Sequence, residues 1–346
     1  MSIRSALNTL VPFVNVKNTL HGHHVVRLDG DSMTATNGVD GCTVPVEMGG
    51  LKACVPFAPL KRVAASVADG AVKLSIRRNK LVAVGTSRFT FSQVKPTFDV
   101  PAPPADWHPV SALDVAALKA MATIKSESPR GIRLAPTWFG SARQSMAIVA
   151  RRPTFAPLAA PVTISATIAN TLTGSQDVHS DGRRVWFREQ ATGILRWTTP
   201  FAYPYPDALG EEIVPSALDD KSRLSFPVEL PQVLDMFKDA TLMPGHREVT
   251  GTLRVSGESL MFKFGGALGD FAGEVEAAHA PDTAPIGLAV PNALLLLSAL
   301  RAATPDSVAV TLKLCPVNGA GAQSNKPAVF CAPGPIVAVL MPILIP

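Results

Sequence analysis

The sequence has few charged side chains and no apolar run long enough to cross a membrane. Charged residues make up 17% of the 346 residues, and hydrophobic residues make up 47%. This balance favours a folded chain with a large core and argues against disorder. No apolar run reaches the roughly 18 residues that a membrane-spanning helix needs. The start, MSIRSALNTLVPFVNVKNTL, also lacks the apolar region of a secretory signal peptide, so we expect no export.

Cysteines are scarce and have no metal-site or redox spacing. The chain has four, and no two of them form a C-x-x-C pair: Cys42, Cys54, Cys315 and Cys331. Without a signal for export, this pattern predicts reduced thiols in a cytoplasmic protein.

Patterns typical of catalysis are also missing. The sequence has no glycine-rich phosphate loop ending in GK[ST], and the serines of GDSM and GESL lack the surroundings of a nucleophile elbow. Among His21, His23 and His24, only His21 and His23 would share one face of a strand, which weakens the case for a metal site. We predict a protein that is not an enzyme and that binds neither cofactor nor metal. A small hydrolase or metal enzyme is the alternative from a different class.

The last eleven residues, Ile336–Pro346, contain no charge and no hydroxyl group. Such a tail must lie in a membrane, in the core of the protein, or in a surface kept partly open for a partner. Prolines within and before it argue against a lone membrane-spanning helix, because they leave backbone groups unpaired in lipid. The run IVAVLMPI instead predicts a buried strand that is interrupted at Pro342.

Two proline-rich segments, Asp99–Pro109 and Pro204–Ser222, divide the chain into pieces of ordinary domain size. Proline favours extended connections over helix, so we interpret both segments as linkers. The predicted domains are residues 1–104, 107–216 and 222–346.

The three pieces share one order of predicted elements. Each opens with an amphipathic helix: SIRSALNTLVPFV, SALDVAALKAMATI and PVELPQVLDMFKDATLM. Alternating strands follow, as in HVVRLDGDSMTATNG, and then a second helix and further strands. This order indicates a triplicated α+β unit of two helices and small antiparallel sheets. Three unrelated α+β domains are the alternative.

These segments, in this order, resemble the bacterial sliding clamp, the DNA polymerase III beta subunit. The likeness spans nearly the whole chain and rests on VPFAPLKRVAASVADGAVKLSIRRNKLVAVGTSRFTFSQVKPTFDVPAPP, on PFAYPYPDALGEEIVP and on VAVLMPI, which is similar to the family's terminal VMPMRL. The chain departs from the family at its end, where Ile343, Leu344 and Ile345 replace Met-Arg-Leu. It also has no recognisable Asp-Gly-His-Arg-Leu segment in the second domain, near SARQSMAIVA. The departures indicate a divergent copy of the kind that a phage or mobile element carries.

The resemblance implies an α+β clamp fold with three pseudo-repeated domains in an arc, closed into a ring-shaped homodimer. In this family, helices line the hole and touch DNA phosphates without reading sequence. The matching basic positions on the helical segments are Arg4, Lys61, Arg62, Lys119, Lys125, Lys238 and Arg301, and those in the loops after the first and third helices are Lys17 and Arg130. Five acidic residues on the helical segments oppose the seven basic ones, so the sequence predicts a weak and mobile grip.

The resemblance also implies two protein interfaces. Ring closure joins the first domain of one copy to the third domain of the other, and opposite charges would steer that pairing. The matching positions are Lys73, Arg77, Arg88 and Phe91 in the first domain, and Glu274 and Glu276 in the third. A hydrophobic groove that receives short motifs of partner proteins would be built from Pro215, Asn292, Val329, Met341, Pro342, Ile343, Leu344 and Met146.

We therefore predict a processivity factor of DNA replication that encircles duplex DNA and tethers a polymerase. Its expected partners are double-stranded DNA, the polymerase, a clamp loader and a second copy of itself, with no membrane. Its expected location is cytoplasmic, on the nucleoid. The alternative within binding proteins is a clamp-like adaptor or decoy that binds clamp-binding peptides without encircling DNA.

Overall fold

The computed structural model describes most of the chain. The described residues are 1–17, 23–67, 72–85, 87–95, 98–124, 131–143, 145–151, 158, 160–201, 207–243, 250–266, 269–277, 281–317 and 323–343.

The described residues form seven α-helices, named here in chain order. They are α1 Ile3–Leu10, α2 Phe57–Ala65, α3 Ala112–Met121, α4 Ala166–Thr171, α5 Val214–Asp219, α6 Leu230–Ala240 and α7 Val290–Ala303. A 3-10 turn, Val11–Phe13, follows α1, and a π-helical turn, Leu209–Ile213, precedes α5.

Antiparallel strands make up the rest of the regular structure. In chain order they are β1 Val25–Gly30, β2 Ser32–Thr36, β3 Asp40–Pro45, β4 Leu51–Pro56, β5 Lys73–Arg77, β6 Lys80–Val84, β7 Arg88–Ser92, β8 His108–Val110, β9 Ile132–Leu134, β10 Trp138–Arg143, β11 Met146–Arg151, β12 Val162–Ile164, β13 Gln176–Ser180, β14 Val185–Glu189, β15 Leu195–Thr198, β16 Leu224–Glu229, β17 Thr250–Ser256, β18 Ser259–Gly266, β19 Gly269–Glu276, β20 Ile286–Ala289, β21 Ala309–Leu314, β22 Ala328–Cys331 and β23 Ile336–Leu340.

The helices begin where the sequence supplies start signals. The hydroxyl oxygen of Ser2 accepts a hydrogen bond from the amide of Ser5 at 3.2 Å and so caps α1. α5, α6 and α7 each carry a proline in their first turn, where a missing N–H costs no helical hydrogen bond. The buried side of α1 presents Ala6, Leu7 and Leu10 at helical spacing.

The chain packs as two compact units. The first consists of residues 1–115, 156–160 and 167–201, and the second of residues 116–155, 161–166 and 202–346. The first unit holds an eight-stranded sheet of order β4-β1-β2-β3-β15-β14-β13-β8 and a three-stranded sheet, β5-β6-β7. The second unit holds an eight-stranded sheet of order β12-β9-β10-β11-β23-β22-β21-β16 and a four-stranded sheet, β19-β18-β17-β20.

One order of elements recurs along the chain, as the sequence predicts. Four strands, a helix and three strands follow α1, and the same series follows α3 and α6; β8 and β16 precede the latter two helices. In each large sheet, the third strand of one series pairs with the last strand of the next. Asp40 of β3 lies opposite Thr198 of β15, and Met146 of β11 lies opposite Leu340 of β23. The triplicated α+β architecture is confirmed, while the domain boundaries stay a prediction.

The second linker is not extended, and this part of the prediction is wrong. Residues 209–219 are helical, first as the π-helical turn and then as α5. Pro215 is accommodated because it lies in the first turn of α5. The end of the chain behaves as expected: β23 is fully buried and stops at Leu340, before Pro342.

Candidate interaction surfaces

The described residues include no group of three or more His, Cys, Asp or Glu positioned to hold a metal ion. Of the histidines considered above, His21 lies outside the described residues. Burial raises the pKa of the Cys42 thiol to about 12 and that of Cys54 to about 11, which disfavours a nucleophilic thiolate. None of the helices built from described residues is long and apolar enough to cross a bilayer.

The predicted DNA-facing residues differ in what surrounds them. Arg4 and Arg62 are exposed on α1 and α2, Lys61 is half-buried, Lys17 is exposed after the 3-10 turn, and Lys119 is exposed on α3. The Lys238 ammonium lies 2.7 Å from the Asp235 carboxylate one turn away on α6. The Arg301 guanidinium donates to the Ser307 carbonyl at 2.5 Å. Lys125 and Arg130 lie outside the described residues.

In the first unit, β7 forms an outer edge of the three-stranded sheet. Phe89 and Phe91 of β7 pair with Ala83 and Leu81 of β6, which are fully buried. Phe89 is itself 37% exposed, whereas Ile76, which is 41% exposed, lies on β5 at the opposite edge of this sheet. The β7 edge therefore presents Phe89 and Phe91 on a strand that has no second neighbour among the described strands. The predicted interface cations Lys73, Arg77 and Arg88 are exposed on the same small sheet, and Phe91 is half-buried.

In the second unit, β19 forms an outer edge of the four-stranded sheet. Leu242, two residues beyond α6, is 81% exposed, and Phe271 of β19 is half-buried. A side chain at Gly273 would meet Met236 of α6, so Phe271 and Gly273 lie on the helix side of β19. The predicted interface residues Glu274 and Glu276 are exposed on the opposite side, and Ser259 donates a hydrogen bond to Glu274.

The second large sheet carries a covering segment on one face. We call residues 207–220 the strap. Val214 and Ala217 of the strap pack with a buried cluster from the sheet, namely Trp138, Ala142, Ala147, Val149, Val329, Val337 and Val339. Gly210 lies against the indole of Trp138, where an added Cβ would come within 2.3 Å of the ring.

A cavity of about 700 Å³ opens beside the strap. The strap contributes Gly210, Glu211, Pro215 and Leu218 to its wall. The sheet and its turns contribute Thr137, Trp138, Arg151, Cys331, Gly334, Pro335 and Val337. The lining is mainly apolar with charged groups at the rim, and the volume lies within the range of ligand-binding clefts.

Ion pairs hold the strap at both ends. At its start, Arg133 of β9 donates two hydrogen bonds to the Asp207 carboxylate, at 2.7 and 2.6 Å. At its end, the Lys326 ammonium lies 2.7 Å from the Asp220 carboxylate, and the Lys313 ammonium donates to the Leu218 carbonyl at 2.7 Å. The strap is therefore a fixed wall of the cavity.

Acid should loosen the end of the strap. Hydrogen bonds from Lys326 and Ser222 hold the pKa of Asp220 far below its ordinary value. A group with a lowered folded-state pKa stabilises the fold above its unfolded pKa of about 4, and this contribution is lost as pH falls further. We expect Asp220→Asn to lower the Tm at pH 7, and to lower it by progressively less as the pH falls below 4, because the folded protein keeps Asp220 ionised well below that pH. The exposed Asp306→Asn serves as the control. A Tm difference between Asp220→Asn and the unaltered chain that stays constant as the pH is lowered would contradict the assignment.

The predicted groove residues divide between two faces of the second large sheet. Pro215 lines the cavity, and Val329 lies in the buried cluster beneath the strap. Met146 alternates with Ala147, so it lies on the opposite face, and α7 packs against that strand. Asn292 of α7 donates to the Ser145 hydroxyl at 2.7 Å. Met146 and Asn292 therefore do not line the cavity with Pro215.

The tail reaches from this sheet towards β20. The Met341 amide donates to the Ser145 carbonyl at 2.7 Å, and the Ile343 amide donates to the Gly287 carbonyl at 2.8 Å. Met341 remains 38% exposed, while Pro342 and Ile343 are half-buried. Leu344 lies outside the described residues. Up to Ile343, where the described residues stop, the tail is thus a buried strand followed by a partly exposed segment.

Trp138, Gly210 and Val337 line the cavity but were not among the predicted groove residues. The alternation along β10 and β23 indicates two buried faces, but it cannot say which face carries a covering segment. The structure shows which face is covered, because the helical strap lies on it.

Solved structures identify the fold. A DNA polymerase sliding clamp from Pseudomonas aeruginosa matches with a TM-score of 0.79 at 14% identity, covering 100% of this chain and 99% of that one. A sliding clamp from Caulobacter crescentus matches with 0.77 at 15% identity, covering 100% and 99%. A DNA polymerase III beta subunit from Thermotoga maritima matches with 0.77 at 12% identity, covering 99% and 97%.

The chain therefore has the three-repeat α+β clamp fold over its whole length. This fold is that of the bacterial DNA polymerase III beta subunit, the sliding clamp, carried by a strongly divergent sequence. No protein-family model matches the chain. No curated protein matches it either.

Proposed function

We propose that two copies of this chain close into a ring around duplex DNA and act as a processivity factor of replication. The observation that carries the proposal is the pair of open edge strands, β7 and β19. In both large sheets, the third strand of one series already pairs with the last strand of the next. β19 is the remaining third strand and β7 is the remaining last strand, and among the described strands each has a neighbour on only one side.

A second copy provides a neighbouring strand for both edge strands at once. Head-to-tail association pairs β19 of one copy with β7 of the other, and a twofold axis repeats the contact and closes the assembly. Phe89 and Phe91 then meet Phe271 and Leu242 in a shared apolar contact. The joint sheet also removes two edges that would otherwise favour aggregation.

Charge supports the same orientation. Residues 1–104 contain twelve Lys and Arg against six Asp and Glu, whereas residues 222–346 contain eight against ten. Opposite net charge favours contact between the first repeat and the third repeat, and disfavours contact between two first repeats. No catalytic step is required, because a ring acts by keeping its polymerase at high effective concentration near the template.

In this proposal the helices face the duplex and contact phosphates, which permits sliding on any sequence. Polymerase, loader and other partner proteins dock through short motifs in the cavity beside the strap. The apolar lining of the cavity, which includes Pro215 and the ring of Trp138, supports its assignment as the docking site. The assembly would work in the cytoplasm, on the nucleoid.

Filling the cavity should block motif binding without unfolding the protein. Thr137 is exposed at the rim of the cavity, so Thr137→Trp adds bulk with little effect on the core. We expect at least tenfold weaker binding of a clamp-binding peptide by fluorescence anisotropy, with an unchanged Tm. Thr192→Trp, at an exposed turn of the first unit, should bind as the unaltered chain does. Unchanged binding by Thr137→Trp would exclude the cavity as the docking site.

Primer extension on circular DNA tests the function as a whole. With a cognate polymerase and loader, the intact chain should lengthen the products made per binding event. A protein that binds clamp-binding peptides yet never increases product length would instead be the adaptor or decoy.

A further inference from the structure

Resting on the proposed function, we infer that the first repeat supplies the grip on DNA and that the helices of the other two repeats form a nearly neutral lining. The inference assigns Arg4, Lys61 and Arg62 as the phosphate-binding side chains of the helices. It follows from the distribution of charge over six helices of the described structure.

The helices of the first repeat carry only positive charge. α1 contains one charged residue, Arg4, and α2 contains two, Lys61 and Arg62. Arg4 and Arg62 are exposed, and Lys61 is half-buried. The remaining exposed positions of α1 include Ser5 and Asn8, which can donate hydrogen bonds to phosphate but add no charge.

The helices of the second repeat are neutral as a pair. α3 contains Asp114 and Lys119, and α4, with the sequence ATIANT, contains no charged residue. Asp114 accepts a hydrogen bond from the Ser111 hydroxyl at 2.8 Å and so belongs to the start of its helix. The exposed surface of α3 includes Leu113, which offers nothing to a phosphate.

The helices of the third repeat are neutral as well. α6 contains Asp235, Lys238 and Asp239, so a phosphate approaching Lys238 also meets two carboxylates. The only charged residue of α7 is Arg301, whose guanidinium bonds the Ser307 carbonyl. Phosphate attraction is a sum over unscreened cations, and here that sum is close to zero.

Two copies of such a chain would present two basic arcs separated by neutral surface. The cations of each arc can contact the DNA phosphates only while the duplex lies on that side of the ring. The lining therefore favours a duplex displaced from the ring axis and able to move between the two arcs, with binding that is weak and strongly dependent on salt.

Matched double variants test this assignment on the full-length dimer. Lys61→Gln/Arg62→Gln removes two charges from α2, and Lys119→Gln/Lys238→Gln removes two charges from α3 and α6. The first variant removes one last-turn cation, Arg62 of α2, whereas the second removes two, Lys119 of α3 and Lys238 of α6. A larger loss of DNA affinity in the first variant therefore does not come from weakened helix ends. Anisotropy of a short labelled linear duplex, which a ring can thread without a loader, gives affinity from 20 to 200 mM NaCl.

We expect the α2 variant to bind DNA about tenfold or more weakly than the unaltered dimer at low salt. Its slope of log affinity against log salt should be shallower by about one or more, because each phosphate contact contributes about 0.9 to that slope. The control variant should change by less than threefold. Equal losses in the two variants would overturn the assignment while leaving the ring intact. If the unaltered dimer binds no duplex at all, the proposed function fails and the assignment fails with it.

Discussion

Leu242→Asp is expected to convert the protein from a dimer into a monomer. Leu242 is 81% exposed in the single chain and lies beyond the end of α6 in the repeat that offers β19. An isolated exposed leucine needs no explanation, but this one accompanies the half-buried Phe271 and β19, which has one neighbour among the described strands. In the proposed ring it becomes buried against Phe89 and Phe91 of the second copy.

The expected effect is large because the ring contains two identical junctions. Burying a leucine side chain contributes about 1.5–3 kcal/mol, and burying an unpaired carboxylate in its place costs more. Doubled over two junctions, the loss corresponds to a dissociation constant raised by about a thousandfold or more. Sedimentation velocity at micromolar concentration should show a monomer with an unchanged circular dichroism spectrum.

An exposed leucine that lies away from the edge strands β7 and β19 provides the control. Leu113 is 62% exposed on α3 and has no part in the proposed junction, so Leu113→Asp should remain dimeric. Phe89→Asp alters the opposite side of the junction and should reproduce the monomer. A dimer that persists in both Leu242→Asp and Phe89→Asp would contradict the pairing of β19 with β7.

Hydrophobic periodicity was sufficient to predict most elements of the fold. The spacing in SIRSALNTLVPFV and in PVELPQVLDMFKDATLM predicted α1 and α6, because a helix of this length must bury one face. The recurrence of the same order of elements then indicated the triplicated architecture. Residues 209–219 were misassigned because proline was taken to exclude helix, although Pro215 lies where a helix tolerates it.

The surfaces were less predictable because they depend on which face of a sheet a residue occupies. The resemblance placed Met146 and Pro215 in one groove, yet Met146 lies on the α7 face of the sheet and Pro215 lies on the strap. A shift of one residue reverses the face of every strand position. Similarly, Lys238 and Arg301 counted as free cations in the sequence, whereas each bonds a neighbour in the fold.

Removing one member of the buried Arg196–Glu189 pair should strongly destabilise the first unit. The Arg196 side chain is 3% exposed and the Glu189 side chain 10%, with 3.4 Å between their charged atoms. The Thr173 hydroxyl donates a further hydrogen bond to the other oxygen of Glu189 at 2.6 Å. Arg196 lies on β15 opposite Cys42 of β3, so the pair is buried at the junction between the first two repeats.

Glu189→Leu leaves a buried guanidinium without its counterion, and such a loss typically costs about 3–5 kcal/mol. Replacing both partners, as in Arg196→Met/Glu189→Leu, removes the uncompensated charge and should recover most of the stability. Urea unfolding followed by tryptophan fluorescence suits the measurement, because Trp107, Trp186 and Trp197 all lie in the first unit. The exposed Lys238–Asp235 pair gives the scale, since Asp235→Asn should cost less than about 1 kcal/mol. A Glu189→Leu protein as stable as this control would mean that the pair contributes nothing to holding the two repeats in one sheet.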